Sequence, residues 1–347
     1  MKVNSAALKH KPLAIDLFSG CGGLSAGLKK AGFKVVAACE YDEKAQDTYS
    51  LNHPDVKLYS DDIRAVPAAR ILADLKLRPG QVDLLAGCPP CQGFSRMRTR
   101  NQRSSVRDER NNLVSEFMRF VRVLKPKTVM MENVPALISD HRFRKICREL
   151  KALRYELVAE ILDAADYLVP QRRKRMILLA SRVHTPTLAK KSKRKITVRD
   201  ALEGIESPAR SKDEIHKLGE NRSDRVKRII RLIPKNGGSR SDLPKSFELD
   251  CHKKFSGFSD VYGRMSWDSV SPTITSGCTN PSKGRFLHPR QNRTITLREA
   301  ALLQGFSKGY KFNCLHGKEA IALMIGNALP PPFIAAHARE LRKALID

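Results

Sequence analysis

The sequence has no apolar run that approaches the roughly 18 residues needed to cross a membrane as a helix. Its first residues, 1–5, also lack the apolar stretch of a secretory signal peptide. No second Cys-x-x-Cys pair accompanies Cys88 and Cys91 to complete a zinc site, and the other cysteines are scattered. We therefore expect a cytoplasmic protein with reduced thiols, no membrane association and no metal centre.

Acidic residues are also scarce relative to basic ones. The 347 residues include 64 Lys and Arg against 36 Asp and Glu, which gives a formal net charge of +28. This excess is larger than solubility requires, so it predicts a polyanionic partner, with nucleic acid as the leading candidate. Binding should then weaken steeply with salt, because neutralised phosphates release counterions.

Two prolines end a short apolar run in the first third of the chain. Residues 82–86 predict a buried strand, and Pro89 and Pro90 stop it because proline lacks an N–H and has a fixed φ. Cys91 then lies at the carboxyl end of a strand, where α/β proteins bind ligands. From this stretch alone three interpretations stay open: a small buried residue, half of a Cys-x-x-Cys redox or zinc pair with Cys88, or a thiolate nucleophile.

A glycine-rich loop follows the first predicted strand. Residues 13–18 form that strand, and residues 19–27 predict a loop that opens a helix, where the backbone can approach an anionic ligand closely. The next predicted strand, 35–39, ends in Glu40, which can accept both hydroxyls of a ribose. These features predict a nucleoside cofactor but do not by themselves separate NAD from S-adenosylmethionine.

Two more predicted strands have charged residues at their ends. The strand 128–131 ends in Glu132, and the basic run 172–175 precedes the strand 176–180. Taken alone, such a glutamate caps a turn or pairs with an arginine as readily as it binds a substrate, and such a basic run is typical of a solvated edge. Helical spacing of apolar residues also predicts helices over 113–124 and about 140–153.

Read together, these strings resemble the motifs of the DNA (cytosine-5)-methyltransferases. The resemblance spans residues 13 to 335 in family order and rests on Phe-Ser-Gly-Cys-Gly-Gly-Leu at 18–24, Pro-Cys-Gln-Gly-Phe-Ser at 90–95, Glu-Asn-Val at 132–134, Gln-Arg-Arg-x-Arg at 171–175, Gln-Gly-Phe at 304–306 and Gly-Asn at 326–327. It implies an α/β fold with a Rossmann-like S-adenosylmethionine-dependent methyltransferase sheet and a smaller, irregular DNA target-recognition domain. It also implies methyl transfer from S-adenosyl-L-methionine to the 5-position of a cytosine flipped out of a specific short duplex DNA sequence.

The resemblance also implies roles for individual residues. Cys91 would be the nucleophile that forms a covalent adduct with the base, Glu132 the acid that recognises it, and Arg173 and Arg175 the arginines that position them. The residues implied to bind the cofactor are Phe18, Ser19, Gly20, Gly22, Gly23, Glu40, Asp62, Ile63, Pro90 and Asn327. The residues implied to contact DNA are Gln92, Ser95, Arg96 and Arg98, which lie at the start of an arginine-rich loop that closes over DNA in the family.

The sequence departs from the family pattern at a few of these positions. Asp61 stands where the family has a glycine before the adenine-contacting aspartate, so Asp62 is the expected contact. Leu168 replaces a glycine before the Gln-Arg-Arg motif, and Leu329 replaces the usual valine of the closing motif.

A change of composition predicts the domain division. From about residue 183 proline, serine and glycine are frequent; the run 190–199 holds six basic residues and no acid, and the run 222–240 holds seven basic residues and one acid. The family resemblance implies that this region is the variable target-recognition region and that the closing segment returns to the large domain. We therefore expect a catalytic domain formed by 1–182 plus 325–347, and a target-recognition domain over 183–324 with its variable region at about 183–265.

Two other activities are kept as alternatives. A tRNA cytosine-5-methyltransferase would share the fold, but that branch typically carries a Cys-Phe-Thr tripeptide that is absent here. A catalytically silent DNA-binding homologue would share the charge, but such proteins usually lack at least one of Cys91, Glu132, Arg173 and Arg175. We expect a monomer that binds double-stranded DNA, with a cognate restriction endonuclease as a functional rather than physical partner.

Overall fold

A seven-stranded sheet lies at the centre of the computed structural model, which describes residues 11–90, 113–247 and 260–346. The strands are β1 (Leu13–Leu17), β2 (Lys34–Cys39), β3 (Lys57–Tyr59), β4 (Leu84–Gly87), β5 (Thr128–Asn133), β6 (Glu156–Asp163) and β7 (Lys174–Ser181). Their order is β3-β2-β1-β4-β5-β7-β6. The first five strands pair in parallel, whereas β7 is antiparallel to both β5 and β6.

Central strands are apolar because the sheet is covered on both faces. Every residue of β4 and β5 is buried, including the polar Glu132 and Asn133 at the end of β5. The edge strand β6 is more exposed, and its Ile161 is 44% exposed. Burial on both faces is the usual reason for continuous apolar runs in parallel sheets.

Eleven α-helices are described in the same residues. They are α1 (Gly23–Ala31), α2 (Glu43–Asn52), α3 (Ala68–Asp74), α4 (Leu113–Leu124), α5 (His141–Ala152), α6 (Val198–Leu202), α7 (Glu214–Lys217), α8 (Asp224–Leu232), α9 (Leu297–Leu303), α10 (Gly317–Asn327) and α11 (Pro331–Ile346). Helices α3, α4 and α5 cover one face of the sheet, and α1 and α11 cover the other. Helices α1 and α11 approach closely at Gly27, where a Cβ atom would lie 2.6 Å from Cβ of Ile334.

The described chain between residues 183 and 330 forms only isolated bridges and helices, without a strand ladder of its own. Helices α6, α7, α9 and α10 share one core, to which Cys21 and Ala45 of the large sheet-containing part also belong. Helix α8 packs on a separate small core that includes Ile230, Tyr262 and Leu287. This part of the chain is as irregular as the sequence predicts.

The predicted α/β class is therefore confirmed, and element ends differ by only a few residues. Strand β4 lies at 84–87 rather than 82–86. Helix α5 begins at His141 because the Asp140 side chain accepts a hydrogen bond from the Arg142 backbone N–H and caps the helix.

One described stretch, Cys314–Leu345, has the length and composition of a membrane span. It contains α10 and all but the last residue of α11, and 67% of its most apolar window is buried inside the protein. Ile325 and Phe333 on these helices are fully buried. The apolar character of this stretch is accounted for by the protein core.

Candidate active site

The predicted site residues that the structure describes gather at one edge of the sheet. The carboxyl ends of β1, β2 and β5 lead to Phe18, Glu40 and Glu132, and β4 leads to Pro89 and Pro90. Because β7 runs in the opposite direction, its first residues reach the same edge, and Glu132 lies opposite Ile177 in the β5–β7 register. The carboxyl edge of a doubly wound sheet is the usual ligand site of such folds.

The glycine loop after β1 has an unusual backbone. Phe18 (φ 61°) adopts the left-handed conformation that non-glycine residues rarely occupy, and Gly20 (φ 54°) and Gly22 (φ 93°) share it. A Cβ atom at Gly20 would meet nothing within 4 Å. Gly20 therefore faces open space next to the first turn of α1, where a ligand can approach the backbone.

The other two glycines of the loop are required for packing. A Cβ atom at Gly22 would lie 2.5 Å from Nε2 of His53, and one at Gly23 would lie 2.6 Å from the Leu329 carbonyl oxygen. These contacts account for the two glycines without a ligand, which the sequence motif alone does not reveal.

Glu40 holds the loop against the end of β2. Its Oε2 accepts a hydrogen bond from the Gly20 N–H at 2.7 Å, and its Oε1 accepts from the N–H groups of Tyr41 and Asp42 at 3.0 and 2.9 Å. Burial raises the pKa of Glu40, and these backbone donors oppose the rise. A carboxylate has about four acceptor positions, so Glu40 retains room for a ribose hydroxyl.

The remaining predicted cofactor residues have varied surroundings. The Ser19 side chain is buried and donates to the Cys39 carbonyl at 3.4 Å. Asp62 accepts from the Arg64 guanidinium at 2.7 Å, which lowers the pKa of Asp62, and the adjacent Ile63 is buried. Pro90 is half-buried, and Asn327 is exposed at the end of α10.

A buried acid that is not among the predicted site residues lies below the glycine loop. Asp16 at the end of β1 is fully buried, and its Oδ2 accepts from Ser25 Oγ at 2.6 Å. Ser25 Oγ is in turn 2.8 Å from the Tyr49 hydroxyl. Burial, reinforced by the charge of Glu40, raises the pKa of Asp16 to about 7.

Glu132 is the centre of the charged part of the site. It is 1% exposed, and its Oε1 lies 2.9 Å from Nε of Arg175. That ion pair does not meet hydrogen-bond angles, so Oε1 has no hydrogen-bond donor among the described residues. Oε1 is thus held by the charge of Arg175 but has no aligned hydrogen-bond donor, so it can still accept a hydrogen bond from a ligand.

The second oxygen of Glu132 is bound by a cysteine. The Cys88 thiol donates a hydrogen bond to Glu132 Oε2 at 2.9 Å. Burial and the neighbouring Glu132 charge raise the pKa of Cys88 well above that of a free thiol. Cys88 is consequently a protonated donor, and the redox-pair interpretation of Cys88 does not account for this contact.

Arg173 lies beside this pair and is also buried. Its Nη1 and Nη2 donate to the carbonyl oxygens of Ile274 and Gly326 at 3.1 and 3.0 Å. Burial, with the nearby Arg175 charge, lowers the pKa of Arg173 to about 9, so it remains charged at neutral pH. Its Nε has no hydrogen-bond acceptor among the described residues. We call Cys88, Glu132, Arg173 and Arg175 the strand-end cluster.

The strand-end cluster leaves one buried acceptor and one buried donor open. Buried polar atoms are almost always hydrogen-bonded, so Glu132 Oε1 and Arg173 Nε indicate a polar ligand. A planar ring that offers both N–H donors and carbonyl or ring-nitrogen acceptors has the matching chemistry.

Gln171 joins the cluster to the irregular part of the chain. Its Nε2 donates to Gln304 Oε1 at 2.6 Å, and its Oε1 accepts from the Ile274 N–H at 2.8 Å. Gly326 packs so closely on Thr275 and Ser276 that a side chain there would collide with their backbone. The site wall is therefore built from both parts of the fold.

Five predicted site residues lie outside the described residues. They are Cys91, Gln92, Ser95, Arg96 and Arg98. The structure does describe the chain up to Pro90, and Asn133 Nδ2 donates to the Pro89 carbonyl at 2.8 Å. The segment that leads to Cys91 is thereby fixed to the end of β5, next to Glu132.

The contact between Cys88 and Glu132 was not predicted, although the sequence carries a signal for it. Residues that directly follow neighbouring parallel strands meet at the same edge, and Gly87 of β4 lies opposite Met131 of β5. The next residue on each strand is Cys88 and Glu132, so their contact follows from strand adjacency.

The sheet order with its antiparallel β7, and a glycine loop and acids at the carboxyl edge, define a Rossmann-like S-adenosylmethionine-dependent methyltransferase. Comparisons with known proteins narrow this class. A family model described as C-5 cytosine-specific DNA methylase matches residues 13–343. The chain belongs to this family.

Relatives and solved structures agree with this assignment. The chain is 34% identical to the type II methylase M.HgiDII of Herpetosiphon aurantiacus, over 95% of both chains. It is 32% identical to the type II methyltransferase M1.HphI of Haemophilus parahaemolyticus, over 95% of this chain and 86% of that protein. A solved structure of a candidate DNA modification methyltransferase encoded within an E. coli prophage superposes with a TM-score of 0.69 at 25% identity, covering 97% of this chain and 100% of the other.

Family membership establishes the activity. The protein is a DNA cytosine-5-methyltransferase that uses S-adenosyl-L-methionine to methylate the 5-position of cytosine in DNA. The predicted family, fold class, enzyme class and cofactor are therefore confirmed.

Proposed function

We propose that the protein methylates one cytosine within a specific short sequence of double-stranded DNA, with Cys91 as nucleophile and Glu132, Arg173 and Arg175 around the flipped base. The observation that carries this proposal is the buried Glu132, which is paired with Arg175 and keeps one acceptor oxygen open. A stacked duplex hides the ring of its cytosine, so the base must be extruded into this site.

The residues at the sheet edge fit S-adenosylmethionine. Gly20 faces open space, Glu40 has capacity for ribose hydroxyls, and Asp62 follows β3 in a position suited to an adenine. Phe18, Ser19, Ile63, Pro90 and Asn327 would complete the binding surface, with Gly22 and Gly23 supporting the loop. When bound, S-adenosylmethionine supplies an electrophilic methyl group.

Cys91 would activate the base for this transfer. The 5-position of cytosine is a weak nucleophile, and addition of a thiolate to the 6-position turns the ring into an enamine that reacts at the 5-position. A free thiol with a pKa near 8.5 is only about 3% ionised at pH 7, so nearby arginine charge would favour the reactive form. Loss of the 5-position proton and departure of Cys91 then restore the aromatic ring.

Glu132 would control the charge of the ring during this addition. As the thiolate adds, negative charge develops at the ring nitrogen next to the amino group, and a proton shared with Glu132 neutralises it. Arg175 orients Glu132 through the 2.9 Å ion pair. The open Nε of buried Arg173 supports a contact with the carbonyl oxygen of the base.

Target recognition would come from the irregular part of the chain. We propose that residues 1–182 plus 325–347 form the catalytic domain and that 183–324 form the target-recognition domain, with its variable region at about 183–265. Helix α11 packs on α1, which supports the return of the chain to the catalytic domain. Gln92, Ser95, Arg96 and Arg98 would contact the DNA backbone beside the extruded base.

One sequencing experiment tests the activity, the nucleophile and the target together. Unmethylated plasmid is incubated with S-adenosylmethionine and the protein and then sequenced after bisulfite conversion, alongside Cys91→Ala and the matched control Cys147→Ala. We expect protected cytosines within one short recurrent sequence for wild type and Cys147→Ala, and none for Cys91→Ala.

Other outcomes point to other functions. Methyl transfer to tRNA without transfer to DNA would contradict the proposed substrate, and retained transfer by Cys91→Ala would contradict the proposed nucleophile. Salt-sensitive DNA binding without transfer to either nucleic acid would indicate a silent DNA-binding protein.

We also propose that the protein acts as a cytoplasmic monomer and protects DNA from a cognate restriction endonuclease. The type II methyltransferases among its relatives support this proposal. Light scattering should give the mass of one 38.9 kDa chain. Plasmid modified in cells should resist an endonuclease that cuts the sequence found by bisulfite sequencing.

A further inference from the structure

Cys88 contacts the proposed catalytic acid although the mechanism above does not use it. Its thiol lies 2.9 Å from Glu132 Oε2 and is the only hydrogen-bond donor to that carboxylate among the described residues. We infer that Cys88 is a positioning residue, whose S–H bond fixes the orientation of the Glu132 carboxylate for the flipped base. This inference rests on the proposed role of Glu132.

The backbone around Cys88 is fixed on both sides. The Cys88 N–H donates to the Leu17 carbonyl of β1 at 3.4 Å, and the next residue, Pro89, accepts from the Asn133 side chain at 2.8 Å. Asn133 directly follows Glu132 on β5. The chain that carries the thiol is therefore fixed to the ends of β1 and β5, and β5 carries the carboxylate. The pairing of the strands thus brings the thiol and the carboxylate into contact.

The protonation state of the thiol makes it a donor. Burial and the Glu132 charge both oppose thiolate formation at Cys88, as the raised pKa indicates. A thiolate at this position would also face Glu132 as a like charge. The protonated Cys88 thus suits a different role from the thiolate proposed for Cys91, although only two prolines separate them in the sequence.

Two contacts together define the direction of the Glu132 carboxylate. Arg175 approaches Oε1, and Cys88 binds Oε2. Without the thiol, the carboxylate is free to rotate towards Arg175 and form a symmetric two-oxygen ion pair, which Arg side chains favour. Its open acceptor would then point away from the base, and the proton needed during Cys91 addition would be misplaced.

A packing role for Cys88 predicts different behaviour. Cys88 also lies against the core cluster that covers one face of the sheet. If packing were its only role, any small apolar residue would replace it, whereas a positioning role requires a hydrogen-bond donor. Serine keeps a hydrogen-bond donor at this position, and alanine removes it. Threonine and valine form a second pair of nearly equal shape, in which only threonine carries a donor.

The test compares Cys88→Ser with Cys88→Ala, and Cys88→Thr with Cys88→Val, in the full chain. For each variant, kcat and KM for DNA are measured, together with covalent trapping by duplex that contains 5-fluorocytosine in the target sequence. We expect the donor variants to keep kcat within about threefold of wild type. Loss of a hydrogen bond to a charged group should lower kcat about tenfold or more in Ala and Val, with KM for DNA within about twofold and slower trapping.

Two results would overturn the inference: wild-type kcat in both Ala and Val, or equal impairment of the donor and non-donor member of each pair. Thermal unfolding of every variant shows whether a loss comes from misfolding, and the Thr–Val pair decides the question if Ala is unstable. Glu132→Gln is assayed in parallel. If Glu132→Gln is fully active, the proposed function of Glu132 fails; if it is inactive while Ala and Val are normal, only the role of Cys88 fails.

Discussion

The strand-end cluster and helix α8 hold charge in opposite ways. In the cluster, Glu132 and Arg173 are almost fully buried; Glu132 pairs with Arg175, and Arg173 donates to two backbone carbonyl oxygens. On α8, Arg225, Arg228 and Arg231 are exposed, and none forms an ion pair with any residue that the structure describes. We call these three arginines the α8 ridge.

The α8 ridge is an unbalanced arrangement in the free protein. Like charges three residues apart on a helix destabilise it slightly, and the only described ion pair on α8 joins Lys227 to Asp224. A phosphate backbone would remove this repulsion. The ridge is therefore suited to an external polyanion, whereas the charges of the strand-end cluster are suited to each other and to one small ring.

The other basic run, residues 190–199, does not resemble the ridge. Lys191 and Lys195 both pair with Asp166, which lies outside that run, and Arg194 lies 3.4 Å from Asp200. The run 190–199 and the α8 ridge are both basic, but the described structure gives acidic partners to Lys191, Arg194 and Lys195 and to none of the ridge arginines. Changes in the buried cluster should affect turnover strongly, and changes in the ridge should affect binding in a graded, salt-dependent way.

The largest effect is expected in the buried cluster, from Glu132→Gln. Glutamine keeps the shape but cannot share a proton with the ring, so kcat should fall about 1,000-fold. Single-turnover methyl transfer at saturating DNA measures this, with Glu160→Gln on the exposed edge strand β6 as the control. If Glu132→Gln instead raised KM for DNA and left kcat unchanged, the proposal that the cluster acts on turnover and the ridge on binding would be contradicted.

The next largest effect is expected from the buried arginine beneath the ridge. Arg264 is fully buried and donates five hydrogen bonds, to the carbonyl oxygens of Ile230, Ile233, Pro234, His288 and Gln291. Arg264→Met should lower the free energy of unfolding by about 3 to 5 kcal/mol, because these buried acceptors lose their donor. Urea unfolding measures it, and Arg231→Met on the surface of α8 should change stability by less than about 0.5 kcal/mol. Equal losses of stability in Arg264→Met and Arg231→Met would contradict the prediction that the buried arginine contributes more to stability than the exposed one.

Burial should also make the stability of the fold depend on pH, through His288. Its Nδ1 accepts from the N–H groups of Arg290 and Gln291, and burial lowers the pKa of His288 to about 4. The neutral ring is favoured in the fold, so its contribution is complete above pH 6.5 and is lost as the pH falls towards 4. The charged and titratable groups that face the ring are Glu299, Arg293, Arg264 and His216.

The measurement for His288 is a difference between two proteins. Asparagine supplies a neutral acceptor, so the stability of wild type relative to His288→Asn should fall by about 3 kcal/mol between pH 7 and pH 4. Taking the difference cancels the other groups that titrate in this range. A difference that stays constant across this range would contradict the prediction.

The smallest effect is expected on the α8 ridge itself. If Arg225, Arg228 and Arg231 each neutralise a phosphate, changing all three to alanine should reduce the slope of log affinity against log salt by about 2.7, since each contact contributes about 0.9. The matched control removes three charges from the paired run as Lys191→Ala, Arg194→Ala and Lys195→Ala. Titration of target and unrelated duplexes at several salt concentrations measures both.

Affinity for target and unrelated DNA should fall by the same factor in the ridge variant, because phosphate contacts carry no sequence information. An equal change of slope in the control variant would show that net charge alone matters, and the comparison between the two basic runs would fail.

Much of the site could be predicted because parallel strands share one edge. Glu40 and Glu132 each end an apolar run, and the sheet brings such residues together whatever lies between them. The direction of β7 is not visible in its apolar pattern, so the place of Arg173 and Arg175 depended on the family resemblance. The resemblance did not reveal that Gly22 and Gly23 are needed for packing.

Partners distant in the sequence were beyond prediction. A run of lysines reads the same whether or not an acid meets it in the fold, so the pairing of Lys191 and Lys195 with Asp166 was invisible. The same holds for Arg264, whose carbonyl partners come from two segments distant from it in the sequence, 230–234 and 288–291.

The packing of α11 on α1 has a consequence for synthesis of the protein. Leu329, Phe333, Ile334, Ala338 and Leu341 belong to the same core as residues of β1 and β4, so one face of the sheet is covered only in part, by α1, until these residues leave the ribosome. Domains usually fold as they emerge, but here the first strands must wait for nearly the whole chain. We expect ribosome-bound chains that stop at residue 328 to be cut by protease within residues 13–87, and chains with the complete sequence on a long tether to resist. The enzyme would then have no chance to modify DNA while it is still being translated.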